Sequence, residues 1–321
     1  MKIAKNTYVE IAVTKMARVA AKMYMATGAG RRFMAKYITA VQKGTGKRKQ
    51  YEEQGIHVPS FLFASVSTTG GGLYADSQPQ GSDAPEMTAD EWRSMFEQAS
   101  SLGVVMILMS GGEPLTRRDV LAVAGEYPQI FFTAVVDSAL MDDNAIDFFA
   151  AHPNIMPVLN VDGGNDNPED VFAPYRQVTA ILKKKKIPFG ASITATNQNI
   201  DLMVDHTLAT EMRKNGCILI SFVGYMPLAG AGNDSLKPNK AELARLDAYV
   251  ERLKEEFLDI IIMQFPHDVV PMGGSHSDQR GFLSINARGK METYPQPETM
   301  VSLDMNVRNT SLWDAIQAFD V

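Results

Sequence analysis

The chain has 321 residues, 45% of them hydrophobic and 21% charged, enough to bury a sizeable core, which excludes a disordered tail or a disulfide-stapled miniprotein. A single cysteine, Cys217, excludes a disulfide framework and any zinc or iron–sulfur site built on several thiolates of this chain. The formal charge of -6 is unevenly spread: residues 1–50 carry twelve Lys or Arg against one acid, Glu10, a net +11 that leaves -17 for the remainder.

In that basic segment, Ile11, Val13, Met16, Val19, Ala20 and Met23, then Phe33, Met34, Tyr37, Ile38 and Val41, recur at close to the helical repeat. The spacing predicts two amphipathic helices hinged near Thr27-Gly28-Ala29-Gly30. Charges interrupt every apolar stretch before it reaches signal-peptide or membrane-spanning length, so the expectation is a cytoplasmic protein. Two readings of residues 1–50 stay open: contact with an anionic membrane surface or an acidic partner, or packing of the apolar stripe on the body.

From residue 58 short apolar runs alternate with helical stretches. The predicted strands are 61–67, 104–110, 130–138, 155–163, 188–196 and 218–225, and the helices are 89–102, 117–126, 143–152, 168–185, 200–215 and 240–257. Apolar runs without strict alternation suit strands covered on both faces. Repeated strand–helix units imply an α/β fold, either a doubly wound sheet or a full or partial β/α barrel, with ligands at the C-terminal ends of the strands. Polar, glycine-rich exits fall there: Ser110-Gly111-Gly112-Glu113-Pro114-Leu115, then Asn160-Val161-Asp162-Gly163-Gly164, then Ser192, Thr194, Thr196, Asn197 and Asn199, and finally Gly224-Tyr225-Met226-Pro227. Glycines let backbone approach a ligand closely, and Glu113 offers a carboxylate to a cation or amine.

The order of these motifs resembles the radical S-adenosylmethionine (radical SAM) superfamily. The resemblance is carried by residues 57–65, by Met87–Trp92, and by the run Ile107–Val120 with its GGEP segment, and it covers roughly residues 57–295. It implies a partial (β/α)6 barrel over 57–260, with a basic helical appendage at 1–56 and an extension at 261–321. It also implies S-adenosylmethionine as the ligand, with Gly111, Gly112, Glu113 and Pro114 at the methionyl amine and Asn160, Asp162, Ser192 and Thr194 at the ribose and carboxylate.

The family's C-x3-C-x2-C segment, which holds a [4Fe–4S] cluster, should follow the first strand. Here Gly70–Leu73 stands in its place, without cysteine and about four residues shorter. The extension keeps a hairpin-like skeleton across 273–295, with Ser275 and Tyr294 near the positions where relatives carry cysteines. No cluster is therefore expected. Gly70-Gly71-Gly72 reads as the turn left by the missing loop or as amides facing an anion. His267, Asp268, His276 and Asp278 lack any metal-ligand spacing, so no metal site is expected. A G-x-S-x-G elbow, a Walker A loop and a G-x-G-x-x-G fingerprint are absent, and the run Lys183–Lys186 suits a helix C-terminus without calling for nucleic acid.

Three functions stay open: a cluster-free protein with a small-molecule pocket for S-adenosylmethionine and no radical chemistry; an enzyme doing polar chemistry there, with Glu113 or Asp162 as acid or base; or a genuine radical SAM enzyme stripped of its cysteines. Buried Cys217 reads as a small hydrophobe at the start of the sixth strand.

Overall fold

The computed structural model describes residues 23–69, 84–161, 168–225, 234–265, 282–294 and 305–320. Thr27 opens the first described helix, α1 (Gly28–Glu52), its hydroxyl accepting the Gly30 amide at 3.0 Å. The hinge predicted at Thr27–Gly30 is thus this helix start, and the helix expected ahead of it lies outside the described residues.

The core is a run of strand–helix units: β1 (Phe61–Ala64), α2 (Ala89–Leu102), β2 (Met106–Met109), α3 (Arg118–Gly125), β3 (Phe131–Asp137), α4 (Asp143–Ala151), β4 (Ile155–Asn160), α5 (Pro168–Lys185), β5 (Gly190–Ala195), α6 (Ile200–Met203), α7 (His206–Asn215), β6 (Leu219–Gly224) and α8 (Lys240–Glu256). The strand β7 (Ile261–Phe265), the hairpin β8 (Phe282–Ile285) and β9 (Met291–Tyr294), and α9 (Leu312–Asp320) follow. All six predicted strands occur, each shortened at one or both ends. The helix predicted over 200–215 is broken at Val204-Asp205, where the Asp205 carboxylate caps α7 by accepting the Thr207 amide at 2.9 Å.

The sheet order is β7-β6-β5-β4-β3-β2-β1-β8-β9, parallel except for the β8–β9 pair. The sheet curls into a half-barrel. Phe61 and Phe63 of β1 and Leu108 of β2 pack against Val223 of β6 and Met263 and Phe265 of β7, strands far apart in the order, and the Phe63 and Phe265 rings stand 5.4 Å apart. The opposite face, with Leu62, Ile107, Phe132, Leu159, Ile193, Ile220 and Ile262, is buried under the helices. That two-sided burial is why the strands read as continuous apolar runs.

Helix α1 closes the N-terminal end of the strands. Phe33 and Met34, with Tyr24 just before the helix, pack on Phe131, Met156, Ile218 and Leu219 at the starts of β3, β4 and β6, each buried side chain stabilising the fold by roughly 1.5–3 kcal/mol. Lys47 and Arg48 donate to the carbonyls of Ser101 and Gly103, which lets a cation satisfy the open C-terminus of α2. The far end of the chain is pinned by Arg308. Its guanidinium donates to Glu91 at 2.6 Å and to the carbonyls of Pro85 and Glu86, and this holds the Glu91 carboxyl down at about 2.

Candidate functional site

The strand register assembles a polar row on the inner face. Asp137 of β3 pairs with Asn160 of β4, Asn160 with Ser192 of β5, and Ser192 with Ser221 of β6. Ser221 pairs in turn with Met263, a member of the inner cluster, and register partners share a face, so all four point into the half-barrel. Thr194 is two residues further along β5 on the same face, and it is buried, as is Ser192. Below the row the inner face is apolar, with Phe131, Met156, Val158 and Leu219. A polar row over an apolar floor at the strands' C-terminal ends is the arrangement ligand sites take in such sheets.

Of the predicted ligand residues, Asn160, Ser192 and Thr194 come together here. Asp162 lies outside the described residues, as do Gly70–Gly72, Met226, Pro227, His267, Asp268, Ser275, His276 and Asp278. Asn199 serves the turn after β5, donating to the Thr194 carbonyl at 2.8 Å and accepting the Thr196 amide at 2.7 Å. Asp137 and Ser221 were not singled out from the sequence. They are the inward-facing polar residues of two predicted strands, and only the register reveals them as neighbours of Asn160 and Ser192.

The segment Gly111–Pro114 sits beside this row and is used heavily by the fold itself. Gly111 and Gly112 adopt positive φ values of 104° and 61°, which L side chains resist. A Cβ on Gly112 would stand 2.1 Å from the Ser67 carbonyl oxygen, and one on Gly111 would stand 2.5 Å from Ser65 Oγ. Gly112 therefore lets the β1 and β2 exits touch backbone to backbone, and Gly111 makes room for the Ser65 side chain. Glu113 is only 4% exposed. Its two oxygens accept the amides of Leu115 at 2.8 Å and Asp137 at 2.9 Å, and its own amide donates to Thr69 at 2.8 Å. Burial, reinforced by the Asp137 charge and opposed by those two amides, raises its pKa. Pro114 starts the 3-10 turn Pro114–Thr116 that Glu113 caps. Glu113 thus clamps the exits of β2 and β3 together, and Asp137 is the carboxylate of this corner with an oxygen not taken up by a main-chain amide, its Oδ1 accepting from Ala139 at 2.8 Å.

A second clamp holds β1's exit. Arg117 donates to the Val66 carbonyl at 3.2 Å, to Glu86 at 3.0 Å, to Asp119 at 2.9 Å and to the Met87 carbonyl at 2.8 Å. Glu86 accepts the Thr68 amide at 2.5 Å. Burial pushes the Glu86 carboxyl up, but the Thr68 bonds and the Arg117 charge outweigh it and hold it below its usual range. A surface cleft of about 440 Å³ between α5 and α7, lined by Arg176, Thr179, Lys183 and Glu211, lies on the helical layer and is spanned by the Arg176–Glu211 ion pair at 2.6 Å.

Cys217 is 1% exposed and precedes β6, at the N-terminal end of the strands. Its thiol donates to the Leu219 carbonyl, and burial pushes its pKa up to about 12. A thiol so placed, at the end of the sheet away from Gly111–Pro114, does not fit a cluster ligand at the β1 exit, and among the described residues no three His, Cys, Asp or Glu side chains group as metal ligands.

A curled, mostly parallel sheet under a helical layer, with a polar row beside a glycine–glycine–glutamate corner at the strand exits, defines a partial β/α barrel. No protein-family model matches the chain. In sequence it is 25% identical over 194 residues to the AdoMet-dependent heme synthase of Methanosarcina barkeri, covering 57% of this chain and 55% of that protein. It is 23% identical over 257 residues to the PqqA peptide cyclase of Granulibacter bethesdensis, covering 73% and 67%. In structure it is similar to Streptococcus suis SuiB bound to the precursor peptide SuiA, with a TM-score of 0.64 at 15% identity over 91% of this chain and 68% of that one, and to SuiB bound to S-adenosylmethionine, with a TM-score of 0.64 at 16% identity over 89% and 69%. The chain thus spans about half the length of the heme synthase and about two thirds of the others. Together these similarities support membership of the radical SAM superfamily.

Proposed function

We propose that this chain binds S-adenosylmethionine, or a metabolite closely related to it, at the strand exits without a [4Fe–4S] cluster and without radical chemistry. The observation that carries the reading is the in-register row Asp137–Asn160–Ser192–Ser221 over an apolar floor. A row of hydrogen-bonding groups on four adjacent strands suits a ribose and an amino-acid head group, with the apolar floor beneath. SuiB, of the same fold, is described with S-adenosylmethionine bound. One cysteine in 321 residues supports the absence of the cluster, because reductive cleavage needs an electron from a thiolate-held cluster. In this reading Asn160, Ser192, Thr194 and Ser221 meet the ribose and carboxylate, and Asp137 meets the methionyl ammonium in place of Glu113, whose two oxygens are engaged by main-chain amides. The same engagement argues against Glu113 as an acid or base in polar chemistry.

Calorimetric titration of the iron-free protein with S-adenosylmethionine, methionine and 5′-deoxyadenosine tests the reading. Saturable binding of S-adenosylmethionine, with protection from thermal unfolding, is expected. No heat and no protection with any of the three would sink it, and turnover without iron would replace it with the polar enzyme.

A further inference from the structure

The outer face of α1 is a cationic surface that takes no part in the ligand site and from which Lys47 reaches back to the Ser101 carbonyl of the barrel. The helix carries Arg31, Arg32, Lys36, Lys43, Lys47, Arg48 and Lys49, with no acid before Glu52. Its inner side is fixed to the barrel by Phe33, Met34 and Gly44, so the helix presents one constant face outward. At 100° per residue, Arg32, Lys36, Lys43 and Lys47 run along one flank of that face and Arg31, Ile38 and Lys49 along the other. Ala35, Thr39, Gln42 and Gly46 form the low, neutral strip between them, and all these residues are exposed. Exposed apolar side chains sit with the cations: Met25 is 52% and Ile38 48% exposed. The sequence ahead of the helix adds Lys2, Lys5, Lys15, Arg18 and Lys22 against Glu10 alone.

We propose that this face docks on an anionic lipid bilayer, with α1 lying in the plane of the surface. Two rails of cations flanking a low strip suit electrostatic attachment to an anionic headgroup layer, because the apolar side of the helix is already taken by the barrel. Four of the six exposed cations are lysines, whose long stems snorkel well at a membrane but which are depleted from protein–protein interface cores. No exposed aromatic lies on the face to stack on bases, since Phe33 and Tyr24 are buried, which disfavours single-stranded nucleic acid. The net charge of -17 outside residues 1–50 is repelled by the same surface and so orients the molecule with α1 towards it. Because α1 covers the N-terminal end of the strands, docking leaves the polar row at the opposite end accessible to ligand.

Sedimentation of the full chain with vesicles tests this, using phosphatidylcholine alone and phosphatidylcholine with about 30% phosphatidylserine. Binding to the anionic vesicles only, weakened by salt, is expected. Each cation at such a surface changes partitioning about fivefold, so the triple variant Arg32→Glu, Lys36→Glu, Lys43→Glu should lose more than about a hundredfold while its unfolding midpoint and ligand affinity stay as in the parent. The variant Lys184→Glu, Lys237→Glu, Lys240→Glu makes the same change in net charge elsewhere and should keep most of the binding. Equal loss in both variants, equal binding to neutral vesicles, no binding at all, or a tighter α1-dependent complex with an oligonucleotide or an acidic polypeptide than with vesicles would each overturn the proposal.

Discussion

The exits of β1 and β2 lie side by side and differ in what they keep. At the β1 exit the cysteine segment expected from the family resemblance is replaced by a shorter run without thiols. At the β2 exit every residue of Gly111–Pro114 is present and engaged: the glycines by the backbone of Ser67 and the side chain of Ser65, Glu113 by two amides, and Pro114 by the turn. The second motif is thus built into the fold, whatever it does for a ligand. Its presence is accounted for by packing, whereas the polar row that begins on the next strand, β3, faces the inside of the half-barrel over an apolar floor and supports a ligand there.

Breaking the β2 exit should give the largest effects. Gly112→Ala forces a Cβ against the Ser67 carbonyl at positive φ and should cost on the order of 3 kcal/mol in denaturant unfolding. Glu113→Ala leaves two amides without their acceptor and should cost roughly 1–3 kcal/mol for each amide that stays buried. If Glu113 were chiefly a ligand group, Glu113→Ala would instead lower affinity and leave stability nearly unchanged. The polar row should behave in the opposite way. Asp137→Asn, Asn160→Ala and Ser192→Val should each weaken S-adenosylmethionine binding about tenfold, equivalent to about 1.4 kcal/mol, with little movement of the unfolding midpoint. Asp137→Asn should matter less for a ligand lacking the methionyl ammonium, such as 5′-deoxyadenosine, when compared by calorimetry.

The smallest effect concerns the tie between Glu91 and Arg308. The folded Glu91 carboxyl is held at about 2, below its ordinary 4.5, by the Arg308 hydrogen bonds first and the Thr88 amide next. A depressed carboxyl contributes stability that is fully present above 4.5 and is lost as pH falls from there towards 2. Arg308→Ala should flatten that part of the acid limb of a stability-versus-pH curve, and an unchanged limb would remove Glu91 as its source.

Much of the architecture was legible because its causes are local. Thr88 and Glu91 form a capping box at the start of α2, and Asn239 and Glu242 form one at α8. The six apolar runs were long enough to show as strands. The break at Asp205 was missed because a capping side chain inside a helical pattern outweighed the periodicity, and β7 was missed because Ile261–Phe265 follows a long helix without a turn signal. For the site, Asn160, Ser192 and Thr194 were legible as polar residues at strand ends. Asp137 and Ser221 were not, because membership of the row depends on which residues face each other across strands. Glu113 was legible as a candidate ligand residue, but its bond to the Asp137 amide was not, because that partner is set by the β2–β3 register and by no sequence motif. The Arg117 clamp joins residues 31 and 51 positions apart, which a reading along the chain does not connect.

Anaerobic reconstitution with iron and sulfide, followed by metal analysis and S-adenosylmethionine titration of the same sample, decides whether the chain binds its ligand without a cluster. No stoichiometric iron or sulfide is expected, and the affinity for S-adenosylmethionine should be the same before and after the treatment. A stoichiometric [4Fe–4S] cluster, with ligand binding that appears only once it is in place, would contradict the cluster-free reading.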